Sequence, residues 1–369
     1  MPIEYSTAPE RWGDAVAHSE TTLHQMSPYI GKLKSSIAKS LIETYSVPGD
    51  VIFDPFCGSG TIPFEALCLK RRTIAADCNP YALVLTRAKI SAPKSLEIAK
   101  RRAHAMLNLS EASQSPDLRS IPIWVRRFFH PQTLKEVLAF RDQAVKSGDD
   151  FLLAALLGIL HHQRPGFLSY PSSHLVPYLR SKLFPRDQFP ELYEYRELES
   201  RLMRKLDRLY KRPHAKFRVA DARVIESPIQ NLNLRSKFDC LITSPPYMNA
   251  LDYGRDNRLR LWLSTRRDVD QSLDLQTRFA HRFADLLVSL GMTAHRGLKR
   301  GGFCVLVVGE LSNQSLAKLV TLLHDSFLVA ASDLQLMEVI SDEIPDVRRS
   351  RRDDRGVKKE HAFVFKRIG

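Results

Sequence analysis

The sequence predicts an α/β fold, a Rossmann-like parallel sheet interrupted by a mainly helical insert. Three observations predict it. Short apolar runs alternate with segments of helical periodicity up to residue 90 and again from residue 216, the pattern of a parallel sheet with crossover helices. Between 91 and 215 the alternation stops and only helical stripes remain. The chain has 369 residues, 44% hydrophobic and 26% charged, which is enough to bury one large core or two moderate ones.

The elements follow in order. Leu33, Ile37, Leu41 and Ile42 recur at helical spacing, predicting a helix over Gly31–Tyr45. Pro48, Gly49 and Asp50 supply a turn, and Val51–Asp54 reads as a short buried strand. A loop through Gly58 and Gly60 leads into a helix over Thr61–Leu69, then a strand over Arg72–Asp77 and its helix over Pro80–Ile90. In the insert, Leu134, Val137 and Leu138, and then Phe151–Leu160, read as helices, and Arg164–Ser173 reads as a turn-rich stretch. Alternation resumes with strands expected at Phe217–Ala220, Asp239–Thr243, Gly302–Val308 and His361–Lys366. Gly301 and Gly302, after Lys299 and Arg300, are suited to turn the chain out of a preceding helix.

Bulk composition narrows the function. Net charge is +14, which favours a polyanionic partner over a neutral one. The excess is local: residues 91–215 hold 21 Lys and Arg against 13 Asp and Glu, and six of the 12 histidines. No apolar run approaches the ~20 residues of a membrane span. The start, Met1-Pro-Ile-Glu-Tyr5, lacks the layout of a signal peptide. Cys57, Cys68, Cys78, Cys240 and Cys304 are widely spaced, with no C-x-x-C pair, so neither zinc nor a disulfide framework is expected and a reducing cytoplasm fits best.

Two loops carry the chemistry. Ser244, Pro245, Pro246 and Tyr247 follow the apolar run Phe238–Ile242 and Thr243. Two prolines fix φ and remove backbone donors, so the turn presents acceptors without competing N–H groups. Ser244 Oγ and the Pro245 carbonyl are then placed to accept the two hydrogens of a planar amine, and Tyr247 to lie against the ring carrying it. The other loop is Asp54, Pro55, Phe56, Cys57, Gly58, Ser59, Gly60 and Thr61, where a strand ends beside the start of a helix. Its two glycines would admit a ligand that a side chain would block. Asp77 ends the next strand and can accept ribose hydroxyls, and Asp221, with Ala222 beside it, would face an adenine amine. The alternative for each acid is helix capping or a surface ion pair.

These motifs resemble the S-adenosylmethionine-dependent DNA amino-methyltransferases, which modify cytosine N4 or adenine N6. Asp54–Thr61 matches that family's cofactor loop, and Ser244–Tyr247 its catalytic tetrapeptide. Ser27-Pro-Tyr29-Ile-Gly-Lys32 is similar to a segment that closes over the methionine end of the cofactor, implying roles for Tyr29 and Lys32. Arg72-Thr-Ile-Ala-Ala-Asp77-Cys78-Asn-Pro80 is similar to the family's second strand. The resemblance spans about residues 20–90 and 216–310. It implies a methyltransferase fold with a catalytic domain over 1–90 and 216–369, and with 91–215 as the target-recognition region. The cofactor loop comes first, with roughly 180 residues before the catalytic loop, whereas its wording and the serine resemble members with the opposite order. Serine at the first position implies cytosine N4, with adenine N6 or an RNA base amine as alternatives.

The resemblance further implies S-adenosyl-L-methionine as cofactor, a flipped-out base in double-stranded DNA, and a restriction–modification or defence setting with a possible cognate endonuclease. No Pro-Cys dipeptide occurs, which argues against thiolate addition to cytosine C5. Arg164, Ser172, Ser173 and His174 mix donors suited to base and phosphate contacts, the alternative being a polar loop over a helical core. Tyr253, Arg255 and Arg258 follow the catalytic loop and could meet the target strand, or start a solvated helix. Trp262 could line the base pocket or pack in the core. Arg348, Arg349, Arg351 and Arg352 open a run of seven basic residues with two acids, suited to phosphate or to plain solvation. A nucleic-acid binder on a decayed methyltransferase scaffold is the non-enzymatic alternative.

Overall fold

The computed structural model describes residues 3–13, 20–162, 167–173, 177–212, 215–246, 253–268, 280–310, 315–344 and 359–368, with backbone alone at 253 and 280. Eight strands form one sheet: β1 (Glu4–Thr7), β2 (Val51–Asp54), β3 (Arg72–Asp77), β4 (Ala222–Glu226), β5 (Phe238–Thr243), β6 (Leu298–Glu310), β7 (Leu334–Glu343) and β8 (Lys359–Arg367). Their spatial order is β1-β7-β8-β6-β5-β2-β3-β4. Every pairing is parallel except those of β8 with β6 and β7. The order reverses between β2 and β5, so the carboxyl ends of those two strands flank the crevice where α/β sheets bind ligands.

Period-2 burial sorts the strands' side chains to two faces. On one face, Ile52, Cys240, Ile242, Val305 and Val307 pack with Ile37, Leu41 and Ile42 of helix α1 (Ser35–Tyr45) and Ile62 of α2 (Thr61–Cys68). On the other, Phe53, Ile74, Leu241 and Leu306 pack with Leu286, Leu287 and Leu290 of a late helix, Ala280–Gly297. Stacking large apolar side chains on both faces is what makes the central strands read as continuous hydrophobic runs.

The insert adds a further layer. It contributes α4 (Leu96–Glu111), α5 (Ile123–Arg126), α6 (Pro131–Lys146), α7 (Asp150–Leu157) and α8 (Leu198–Leu209), and none of the eight strands. Their apolar faces share one cluster with Phe64 of α2, with Tyr81, Leu85 and Ala88 of α3 (Pro80–Ile90), and with Leu259, Leu261 and Leu263 of α10 (Arg258–Thr265). A short helix, α9 (Tyr253–Asp256), precedes α10 in the chain. Buried guanidinium groups sew the layer together. Arg141 donates to the Leu263 and Ser264 carbonyls, at 2.7 and 2.8 Å, and Arg260 to the Leu157 and His161 carbonyls, each at 3.3 Å.

Three expectations about elements are corrected. The strand expected at Phe217–Ala220 lies at Ala222–Glu226; Phe217 is apolar because its ring packs edge-on against Phe64, 5.6 Å away. The helix expected from Gly31 starts at Ser35, because Gly31 has φ 74° and breaks the run. Gly301 and Gly302 do not cap a helix. The helix has already ended at Gly297, where a Cβ would stand 2.2 Å from the Phe238 ring, and Gly301 (φ 75°) lies inside β6.

Candidate active site

Asp54 closes β2 with 1% exposure. Its Oδ1 accepts from Phe56 N (3.2 Å) and from Thr243 Oγ1 (2.6 Å). Thr243 is the last residue of β5 and precedes Ser244, so one hydrogen bond ties the end of β2 to the root of the second loop. Burial pushes the Asp54 carboxyl up to about 7, the two donors hold it down, and the neighbouring Asp77 charge adds to the rise.

Asp77, at the end of β3, accepts from Gly58 N through Oδ2 (2.9 Å) and from Asn79 N through Oδ1 (2.8 Å). Burial raises it to about 6, against the pull of backbone donors from Asn79, Gly58 and Cys78. The two glycines have a local reason beyond ligand access. Gly60 (φ 77°) caps α2, and a Cβ there would sit 2.7 Å from Thr86 Oγ1 and 2.8 Å from Thr86 Cα on α3. A Cβ on Gly58 (φ 50°) would meet the Tyr29 ring at 3.2 Å. Thr86 Oγ1 donates to the Gly58 carbonyl (3.1 Å), fixing the loop from below. The requirement for glycine at 60 comes from helix packing.

Above these residues lies a cleft of about 890 Å³, counting the space open to solvent. Tyr29, Gly31, Lys32 and Leu33 form one wall, Asp54–Ser59 with Thr61 and Ile62 the floor, and Asp77, Cys78 and Asn79 one side. Ser227, Pro228 and Ile229, and Ser244 and Pro246, complete the lining. Of the expected residues, Gly60 and Pro245 support the cleft without lining it. Pro245 is buried and Ser244 half-buried.

Some expected residues lie elsewhere. Asp221 and Ala222 sit at the amino-terminal start of β4, where Ala222 pairs with Thr73, at the opposite end of the sheet from the cleft. The shifted register of that strand accounts for this. The residues that reach the cleft from β4 are Ser227 and Pro228, whose Ser-Pro turn signal was available once Glu226 was known to end the strand. Ser172 and Ser173 are buried and satisfied within their own turn. Ser172 bridges to Leu179 and its Oγ lies 3.2 Å from Ser169 Oγ, while Ser173 carries hydrogen bonds to Tyr178 and His161. They are therefore closed to nucleic acid.

Arg255 is exposed, 3.8 Å from Asp256. Arg258 stands over the Trp124 ring at 4.1 Å and 3.8 Å from Asp268. Trp262 is 3% exposed and packs in the insert core. Tyr247, Arg164, His174, Arg348, Arg349, Arg351 and Arg352 lie outside the described residues, as does the side chain of Tyr253.

The carboxylates, glycine loop and strap match the chemistry of an adenosyl sulfonium ligand. Buried Asp54 and half-buried Asp77 both line the cleft, where a cationic or hydroxyl-bearing ligand would meet carboxyl acceptors. The family described as DNA methylase, the N6/N4 methyltransferases, matches residues 16–87. Over this segment the chain is similar to the N6/N4 DNA methylase family. The matched segment takes in residues 20–34, β2, the glycine loop and β3, and it stops before β5.

Type II methyltransferase M.MjaII of Methanocaldococcus jannaschii is 28% identical over 79 residues, which is 21% of this chain and 15% of that protein. Among solved structures, TrmN from Thermus thermophilus aligns over 97% of this chain and 53% of its own at 12% identity, with a TM-score of 0.36. The rRNA methyltransferase aviRa from Streptomyces viridochromogenes aligns over 96% of both chains at 11% identity, with a TM-score of 0.35. No described helix is long and apolar enough to cross a membrane.

Proposed function

We propose that this chain is an S-adenosylmethionine-dependent DNA methyltransferase acting on the N4 amine of cytosine. The observation that carries the reading is one cleft lined at once by the glycine loop, Asp54, Asp77 and Ser244, with Thr243 bonded to Asp54. S-adenosylmethionine supplies an electrophilic methyl on its sulfonium when bound. Tyr29 and Lys32 would cover it, Asp77 would take its ribose, and Ser227–Ile229 would close around its adenine.

The amine of cytosine is a weak nucleophile because its lone pair is delocalised into the ring. Ser244 Oγ and the Pro245 carbonyl accept its two hydrogens, favouring a pyramidal nitrogen and localising the pair. Tyr247 stacks on the flipped ring. In-line placement then supplies most of the acceleration, and the oriented acceptors stabilise the charge that develops on nitrogen. No strong base is needed, since the amine becomes acidic once methylated.

In this reading residues 91–215 serve as the target-recognition region, supported by their basic excess. Because they share a core with α2, α3 and α10, they would move with the catalytic residues as one body. The partner is double-stranded DNA, in a restriction–modification or defence setting. Five unpaired cysteines suit a reducing cytoplasm. Serine at 244 is what favours cytosine; adenine N6 keeps every role above and changes only the base. The test is calorimetric titration with S-adenosylmethionine beside methyl incorporation into DNA and into RNA. Ser244→Ala is expected to keep cofactor affinity within about twofold and to lose incorporation at least 100-fold. Equal incorporation by both proteins would refute the role of Ser244, and label in RNA alone would replace the substrate.

A further inference from the structure

The wall made by Tyr29–Leu33 belongs to a strap, residues 20–34, held by polar groups that are almost all buried. His24, 2% exposed, sits at its centre in a short 3-10 turn, Thr22–Gln25. His24 Nε2 lies 2.6 Å from Glu65 Oε1 on α2, and Nδ1 lies 3.3 Å from Lys89 Nζ on α3. Glu65 and Lys89 are each 1% exposed. Further along, Lys32 Nζ donates to the His24 carbonyl (2.9 Å), Lys205 Nζ on α8 to the Gln25 carbonyl (2.8 Å), and Tyr81 to the Pro28 carbonyl (2.6 Å).

One protonation pattern that gives every atom a partner keeps His24 neutral. The Lys89 ammonium donates to Nδ1, so Nε2 carries the imidazole proton and donates to an ionised Glu65. A charged His24 would face the Lys89 ammonium. Burial and the charges of Lys89, Lys32 and Lys39 hold the imidazole well below its usual range. The charged groups around this chain are Glu20 and Lys32 on the strap, Lys39 on α1, Glu65 on α2, Lys89 on α3, Lys205 and Arg208 on α8, and Arg260 on α10. Lys39 is 3.6 Å from the second Glu65 oxygen.

We propose that Lys89, His24 and Glu65 form a proton-dependent latch that positions the Tyr29–Lys32 wall against the cofactor cleft. Its role in binding cofactor depends on the function proposed above, whereas its role in holding the strap does not. The geometry couples the two because α3 also carries Thr86, which supports the glycine loop one turn before Lys89. Burial raises Glu65 to about 7 and lowers Lys89 to about 7. Acid therefore discharges one end of the chain and alkali the other.

The test is hydrogen–deuterium exchange of peptides from residues 20–34 in the free protein from pH 5.5 to 9, after correction for intrinsic rates, with the helix at 280–297 as internal reference. In the wild type, strap protection relative to that helix should peak near neutrality and fall at least threefold towards both ends. Glu65→Gln should exchange its strap at least tenfold faster at neutral pH, lose the acid-side dependence, and bind S-adenosylhomocysteine at least tenfold more weakly. His24→Gln, which keeps one neutral donor and one acceptor between Glu65 and Lys89, should keep both pH limbs, and loss of both would overturn the assignment of the limbs to Glu65 and Lys89. A flat wild-type profile overturns the latch, and that arm decides the matter even if Glu65→Gln fails to fold. A loosened strap with unchanged affinity for the probe in Glu65→Gln overturns the positioning role. Wild-type protein that never binds the probe refutes the proposed function instead, and the exchange arm still tests the latch.

Discussion

Thr243→Val removes one hydrogen bond and keeps the shape of the side chain. The bond is the 2.6 Å contact from Thr243 Oγ1 to Asp54 Oδ1, with both residues buried. A hydrogen bond to a charged acceptor contributes about 1.5–3 kcal/mol. Its loss would fall on the ionised form of Asp54, so the carboxyl, already raised to about 7, should titrate higher still. On the same scale the change is about one to two pH units. If the cofactor's cation is held by ionised Asp54, which is already only about half ionised at pH 7, affinity there should weaken by about 5- to 50-fold. The weakening should shrink as the pH is raised and Asp54 ionises again. Calorimetric titration of S-adenosylmethionine from pH 6 to 9 separates this from simple misfolding, which would weaken binding at every pH. An affinity that matches the wild type across that range would refute the coupling between the two loops.

Other expectations follow from the same geometry. Gly60→Ala combines a left-handed backbone cost of about 1–2 kcal/mol with a clash against Thr86 worth about 1–3 kcal/mol. Gly148, at φ 67° with nothing within 4 Å of its would-be Cβ, should show only the backbone cost when changed to alanine, and urea denaturation of the pair reads the difference. Asp77→Asn turns an amide NH₂ towards a backbone N–H that Asp77 now accepts, costing about 1–3 kcal/mol and weakening S-adenosylmethionine at least tenfold by calorimetry.

The pH dependence has a definite sign. Both acids are raised in the folded state from 3.8, Asp54 to about 7 and Asp77 to about 6, so their contribution to free-protein stability is fully present in acid below 3.8 and is lost as pH rises from there to 6 for Asp77 and 7 for Asp54. If the cofactor's cation is held by the ionised forms, the rise in Tm on adding S-adenosylmethionine should grow over the same interval. Differential scanning fluorimetry with and without cofactor checks both slopes.

Much of the sheet was legible because its central strands are buried on both faces. Val51–Asp54 and Arg72–Asp77 are short apolar runs bounded by turn residues and form as read, while the strand read from Asp239 begins one residue earlier, at Phe238. The edges were not. β4 reads Ala-Arg-Val-Ile-Glu and is only half-buried, while β1 (Glu-Tyr-Ser-Thr) carries too little apolar character to announce a strand. Misplacing β4 carried Asp221 to the wrong end of the sheet and hid Ser227 and Pro228. The glycine loop was legible from type and spacing, but the partner that demands Gly60 sits 26 positions later on α3. Ser172 and Ser173 illustrate the same limit, since a hydroxyl that caps its own turn is indistinguishable in sequence from one that awaits a phosphate. His24 carried no local signal at all, because Glu65 and Lys89 reach it only through the fold.

The central claim is that this cleft delivers a methyl group to an exocyclic base amine under the control of Ser244. Its most direct measurement is nucleoside mass spectrometry of unmodified genomic DNA after incubation with purified protein and methyl-labelled S-adenosylmethionine. Labelled N4-methylcytosine that vanishes with Ser244→Ala is the predicted result. Bound cofactor with no labelled base in DNA would contradict it.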